Sequence, residues 1–141
     1  MANKINITVT ERAGRKCASS GSQWEPKMGY SRAVRCGNYI AVTGTVGINA
    51  DCTYPESLEG QTRRSLEIIQ AAIEALGGKI EHVIRTRIYV IDVTEWEQVA
   101  KVHGSIFGET RPATALVEVA KLIDDDALIE IEADAIIPQE A

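Results

Sequence analysis

The chain has 141 residues, 45% of them hydrophobic and 25% charged, a composition that predicts one globular domain spanning 1–141, in which residues 1–19 form an N-terminal strand-and-loop extension. Lys and Arg total 15 against 20 Asp and Glu, and the net charge of −5 argues against an extended nucleic-acid surface, which shows as a basic patch or stripe. Cys17, Cys36 and Cys52 are odd in number and form no C-x-x-C pair, so neither a disulfide framework nor a metal site is expected. With no run of 18 apolar residues no membrane-spanning helix is expected, and a cytoplasmic location with reduced thiols is the expectation.

Asn3 to Thr10 alternates, with Ile5, Ile7 and Val9 on one side, and predicts a half-buried strand. Arg12 to Gly29 reads as a loop, rich in Gly and Ser and holding Pro26. Tyr30–Arg35 and Tyr39–Val46 are short strands around a Cys36-Gly37-Asn38 turn. From about Ser57 the period changes. Leu66, Ile69, Ile73 and Leu76 form a helical stripe that Gly77-Gly78 ends.

His82 to Val93 is a strand. Thr94-Glu95-Trp96-Glu97 then reads as a capping box opening a second helix, whose stripe is Trp96, Val99, Val102/His103 and Ile106. Two strands close the chain, Thr114–Ala120 and Ala127–Ile137, joined by the acidic turn Asp124-Asp125-Asp126. On the first of these, Thr114, Leu116 and Glu118 share a face by the two-residue repeat.

The expected fold class is α+β, two one-sided helices covering one face of a sheet. The other face, expected to carry Arg87, Glu118, Glu130 and Glu132 among apolar residues, is too polar for a sealed core. Covering it with copies of the same chain, with clefts at the subunit boundaries, is the economical solution.

Several strings, in this order, resemble the Rid family (RidA/YjgF, older name endoribonuclease L-PSP). They are Gly29-Tyr30-Ser31-Arg32-Ala33-Val34, Val42-Thr43-Gly44, Gln61-Thr62-Arg63-Arg64-Ser65-Leu66-Glu67, Ile88-Tyr89-Val90-Ile91-Asp92, Arg111-Pro112-Ala113, Val117-Glu118-Val119-Ala120 and Ile129-Glu130-Ile131-Glu132-Ala133. The resemblance spans about residues 20–137. It implies a chorismate-mutase-like mixed sheet, homotrimers with small-molecule clefts between subunits, and cofactor-free hydrolysis of reactive 2-imino or enamino acids to 2-keto acids and ammonia.

In deaminating members an arginine follows the Pro-Ala pair and grips the substrate carboxylate through two parallel bonds, which a neutral side chain does not copy. Here that position is Thr114. The matching cleft asparagine is Ala100 and the matching cysteine is Leu116. Other expected cleft residues remain: Tyr30, Thr43-Gly44, and Glu130, whose role would be to place the attacking water. For Glu130 the structural alternative is an ion pair with Arg87. Arg32 shares Tyr30's face on a regular strand, and either it or Arg87 is a candidate replacement for the missing guanidinium. The alternative for Arg32 is a salt bridge to Glu118 or Glu130. His103, near Ala100, reads more simply as a satisfied packing group, and Trp24 as packing or as the rim of a cleft.

Three functions follow. One is a hydrolase of a small carboxylated imine or enamine using Glu130. Another is a non-catalytic trimeric module binding a small metabolite or a protein partner. Ribonuclease activity fits least, given the net charge of −5 and no evident acid–base pair.

Overall fold

The structure, a computed structural model, describes residues 3–139. The strands are β1 (Thr8–Arg12), β2 (Arg15–Ser19), β3 (Ala33–Cys36), β4 (Tyr39–Val46), β5 (Val83–Val90), β6 (Ala113–Glu118) and β7 (Ile129–Ile136). The helices are α1 (Trp24–Met28), α2 (Leu58–Ala75) and α3 (Trp96–Phe107). All seven strands lie in one sheet in the order β1-β2-β3-β4-β7-β5-β6. Only β5 and β6 pair in parallel, as they must, because α3 carries the chain back across the sheet between them.

The expected α+β architecture is what the chain adopts. Along α2 and at its C-cap, Leu66, Ile69, Ile73 and Leu76 are each at most 2% exposed, and each such side chain contributes roughly 1.5–3 kcal/mol relative to exposure. Ser57 caps α2 by accepting from the Gly60 N–H at 2.9 Å. Gly77, at φ +90°, ends it with a conformation that a side chain resists. From α3, Val99 and Val102 enter the same core, whereas Trp96 is 51% exposed. β7 alternates as its sequence requires: Ile129, Ile131, Ala133 and Ala135 are buried under the helices, and Glu130, Glu132 and Asp134 face the other way.

Five local expectations need correction. The strand expected over Tyr30–Arg35 begins only at Ala33, so Tyr30 and Arg32 precede it. Ile5 and Ile7 precede the first strand, which begins at Thr8. The supposed loop after Arg12 holds β2, paired with β1 through an Ala13-Gly14 turn in which both residues have positive φ, the hairpin geometry that matches strand twist. All of β1 is exposed, so no burial alternation marks it. The same supposed loop also contains α1.

The expected capping box at Thr94 does not form. Asp92 sits two residues earlier and accepts from both the Thr94 N–H (3.0 Å) and its hydroxyl (2.6 Å), the turn for which a short carboxylate is best suited. Finally, Glu118 does not join Arg87 on the open face. β6 pairs Thr114 with Thr86 and Glu118 with Val90, which puts Glu118 on the helix-facing side, where it accepts from the Val93 N–H at 3.1 Å.

The open face instead carries a polar lattice. Arg87 pairs with Asp134 at 3.0 Å and Glu132 at 3.8 Å. Tyr89 donates to Glu132 and Tyr39 donates to Asp134. The Arg87 side chain is 45% exposed, so these pairs add at most about 1 kcal/mol each.

Candidate functional site

A cleft of about 520 Å³ runs from the segment before β1 across α1 to the ends of β4 and β7. Tyr30, Arg32, Gly44 and Glu130 line its floor, and Trp24, Met28, Tyr54 and Ile123 stand on its walls. Floor and walls are brought together by three local devices. Gly29, in the left-handed conformation, turns the chain out of α1. A bulge breaks the β4–β7 register between Val42 and Thr45. Buried Gln61 bridges the Pro55 and Asp126 carbonyls and accepts from the Leu128 N–H, tying the acidic turn to α2 just before Glu130.

Arg32 is 7% exposed, and most of its fork is already engaged. One terminal nitrogen donates to the Gly44 carbonyl (2.9 Å) and the Thr45 hydroxyl (3.1 Å). The other points at the Tyr30 hydroxyl at 3.4 Å, with the guanidinium 5.6 Å from the Tyr30 ring centre. Nε lies 3.6 Å from Glu25 without a hydrogen bond. The ion pair expected with Glu118 or Glu130 is therefore made with Glu25. A residue that keeps its donors on the fold cannot also clamp a carboxylate in two parallel bonds.

Glu25 is the site residue that sequence reasoning missed. It lies on α1, 5% exposed, and accepts from the Ser19 and Ser20 hydroxyls at 2.7 and 2.6 Å. Burial pushes its carboxyl up, but the bonds from Ser20 and Ser19, with help from Arg32, outweigh this and leave it below the ordinary 4.5. A glutamate next to proline in a polar loop gives no sign of burial; a Ser-Ser pair a few residues upstream was the available clue.

Glu130 is seated against Gly44 so closely that a Cβ there would lie 2.9 Å from its carboxyl carbon. Its pKa is raised above 4.5 by burial and by the charge of Glu132, with Arg32 opposing. It does not pair with Arg87, which is taken by its own lattice. Thr43 turns away from the cleft, donating to the Ser31 carbonyl at 2.6 Å, and so locks the approach to β3.

A second cluster lies on the other face of the sheet. His103 Nε2 meets the buried Thr86 hydroxyl at 3.0 Å, and Thr86 meets Thr114 at 2.9 Å. Thr114 reaches the Pro112 carbonyl at 3.2 Å. Burial lowers the His103 pKa below 6.5, and Phe107 packs on its ring. Leu116 is half-buried two residues along β6, and Ala100 is exposed one helical turn before His103. Thus Tyr30, Arg32, Gly44 and Glu130 converge, whereas Thr114 and His103 meet through Thr86 elsewhere in the same chain.

No group of three or more His, Cys, Asp or Glu among the described residues is arranged to hold a metal ion. No helix among them is long and apolar enough to cross a membrane.

Residues 21–137 match the family described as Endoribonuclease L-PSP. An uncharacterised Streptomyces coelicolor protein is 34% identical over 128 residues, covering 90% of this chain and 95% of that protein. The 2-iminobutanoate/2-iminopropanoate deaminase of Escherichia coli is 34% identical over 111 residues, covering 76% and 86%. The crystal structure of a Mycobacterium tuberculosis member of the YjgF/YER057c/UK114 family superposes with a TM-score of 0.81 at 43% identity, covering 87% of this chain and 99% of that one. With the match extending over β3 to β7 and both long helices, the chain belongs to the endoribonuclease L-PSP (YjgF/RidA) family.

Proposed function

We propose that the protein is a cofactor-free hydrolase of a carboxylated imine, enamine or related metabolite, with Glu130 as its acid–base group. The observation that carries this reading is the placement of Glu130: half-buried, raised in pKa, and pressed against Gly44 on the floor of a cleft beside Tyr30 and Arg32. Hydrolysis adds water across C=N. On the protonated imine, Glu130 takes a proton from the water as its oxygen bonds to carbon, and passes it to the nitrogen of the carbinolamine. It then takes the hydroxyl proton as the C–N bond breaks, and that last proton leaves with ammonia as ammonium. A carboxyl whose pKa is moved toward neutrality serves both steps better than an exposed one.

The Thr114 cluster supports assembly. It lies on the opposite face of the sheet from Glu130, so one chain cannot bring both into one pocket. A cyclic trimer, as the family resemblance implies, would set the β6 edge of one subunit beside the cleft of the next. Sedimentation equilibrium should then give three times 15.3 kDa; a stable monomer sinks the idea.

The test of catalysis generates 2-imino acids with an amino-acid oxidase and traps survivors with semicarbazide. Wild type should deplete the trapped product, and Glu130→Gln should lose most of that effect. A wild type with no effect would instead favour a second reading, a non-catalytic small-molecule-binding module. The engaged fork of Arg32 and the neutral Thr114 edge are the observations on its side. Activity that appears only in Thr114→Arg would mean a cleft intact except for its carboxylate anchor.

A further inference from the structure

We propose that this cleft is built for a ligand with an aromatic or bulky apolar body, carried on an N–H-bearing head that meets Glu130. The proposal rests on the reading of Glu130 as the floor of the site and concerns what lies above it. The cleft measures about 520 Å³, within the range of roughly 300–1,000 Å³ that holds drug-sized molecules. One water occupies about 30 Å³ of liquid, so an imine of four carbons would leave most of this cleft unfilled.

The walls are of the right chemistry for a larger body. Trp24, Met28 and Ile123 are 41%, 63% and 71% exposed, large apolar groups left in water, and all line this one cleft. Trp24 and Met28 sit on α1, which buried Glu25 fixes through Ser19, Ser20 and Arg32. Tyr54 opposes them, its hydroxyl donating to Asp124 at 3.1 Å. The wall is thus held in place before any ligand arrives, and an apolar rim over a few buried polar groups is the usual form of a small-molecule site.

The head follows from the charges on the floor. Arg32 faces both Glu130 and, behind the lining, Glu25, while Lys4, Arg64 and Asp124 stand elsewhere along the same cleft. With its fork donating to Gly44 and Thr45, Arg32 leaves little for a ligand to accept from, whereas the Glu130 carboxyl on the same floor accepts an N–H. An imine or amide nitrogen aimed at Glu130 fits this balance.

Titration calorimetry with propanamide, phenylacetamide and indole-3-acetamide tests the proposal without requiring turnover. The two aromatic amides should bind at least about tenfold more tightly than propanamide, and Trp24→Ala should remove that advantage while Trp96→Ala keeps it. Backbone amide shifts of Tyr30 and Gly44 should move with the aromatic probes, a readout that also reports whether Trp24→Ala remains folded. Equal affinity across the series, or an aromatic preference untouched in folded Trp24→Ala, would overturn the proposal. So would a failure of all three probes to bind, the result expected if another copy of the chain fills the cleft. The outcomes separate from those for catalysis. An inert Glu130 with aromatic preference intact defeats only the hydrolase reading, and an active Glu130 without that preference defeats only this one.

Discussion

The cleft floor and the β6 edge both gather polar side chains against the sheet, and they do so with different materials. At the floor, Glu25, Arg32 and Glu130 are ionisable groups gathered where α1 meets the β4 bulge. At the edge, Thr114, Thr86 and His103 form a chain of hydroxyls ending on an imidazole that burial keeps neutral. Charges taken out of water demand partners, and losing one strands the rest. Neutral hydroxyls demand only one bond each and tolerate exchange. The floor should therefore be brittle and the edge forgiving, which makes the edge the easier place for a family to change a residue such as the one at Thr114.

Urea unfolding of Arg32→Ala is the sharpest attempt to break this contrast. Removing the guanidinium leaves Glu25 buried beside unsatisfied Gly44 and Thr45 acceptors, and a loss of about 3–5 kcal/mol is expected. Gly44→Ala comes next. Its added methyl has no room against Glu130, so about 1–3 kcal/mol should be lost, and the raised pKa of Glu130 should relax toward 4.5 in a carbon-13 carboxyl titration.

At the edge, Thr86→Val removes the central hydroxyl without changing shape and should cost about 1–2 kcal/mol by leaving His103 and Thr114 without that partner. Thr114→Ala, at an exposed strand edge, should cost less than about 1 kcal/mol in the same assay. An edge variant that unfolds more readily than Arg32→Ala would refute the contrast.

pH sharpens it further, because the two floor carboxylates carry opposite signs. Glu25 is held below 4.5, so its stabilisation is complete above that pH and is lost as pH falls through the folded value. Glu130 is held above 4.5, so its contribution is present below that pH and is lost as pH rises through the folded value. Melting curves should accordingly show Glu25→Gln losing the acid limb of the profile, whereas Glu130→Gln should melt at or above the wild-type temperature at pH 7. His103, held below 6.5, adds a smaller decline as pH falls under that value, because the unfolded chain protonates first. Replacing it with Gln should flatten that step.

Much of the site was legible in the chain because strand alternation is strict. Glu130, Glu132 and Asp134 had to oppose Ile129 and Ile131, whereas Tyr30 and Arg32 meet in the stretch before β3 and not on the regular strand expected there. Glu118 shows the limit of the same rule. Its face relative to Thr114 was readable, but which face of the sheet that was depended on the β5–β6 register. Arg32 shows another limit. Its charge was visible, whereas its partner, Glu25, lay in a stretch with no apolar period to mark it as structured.

By itself, the sequence determined the two long helices, the β4 and β7 strands, and the absence of an arginine at Thr114, because periodicity and residue identity are local properties. Tertiary structure alone decided that Arg32 serves Glu25, Gly44 and Thr45, that Glu130 rests on Gly44 and that Thr114 joins His103 through Thr86. Those contacts join elements distant in the chain, and their energies depend on which groups are shut away from water together, a quantity that no single segment encodes.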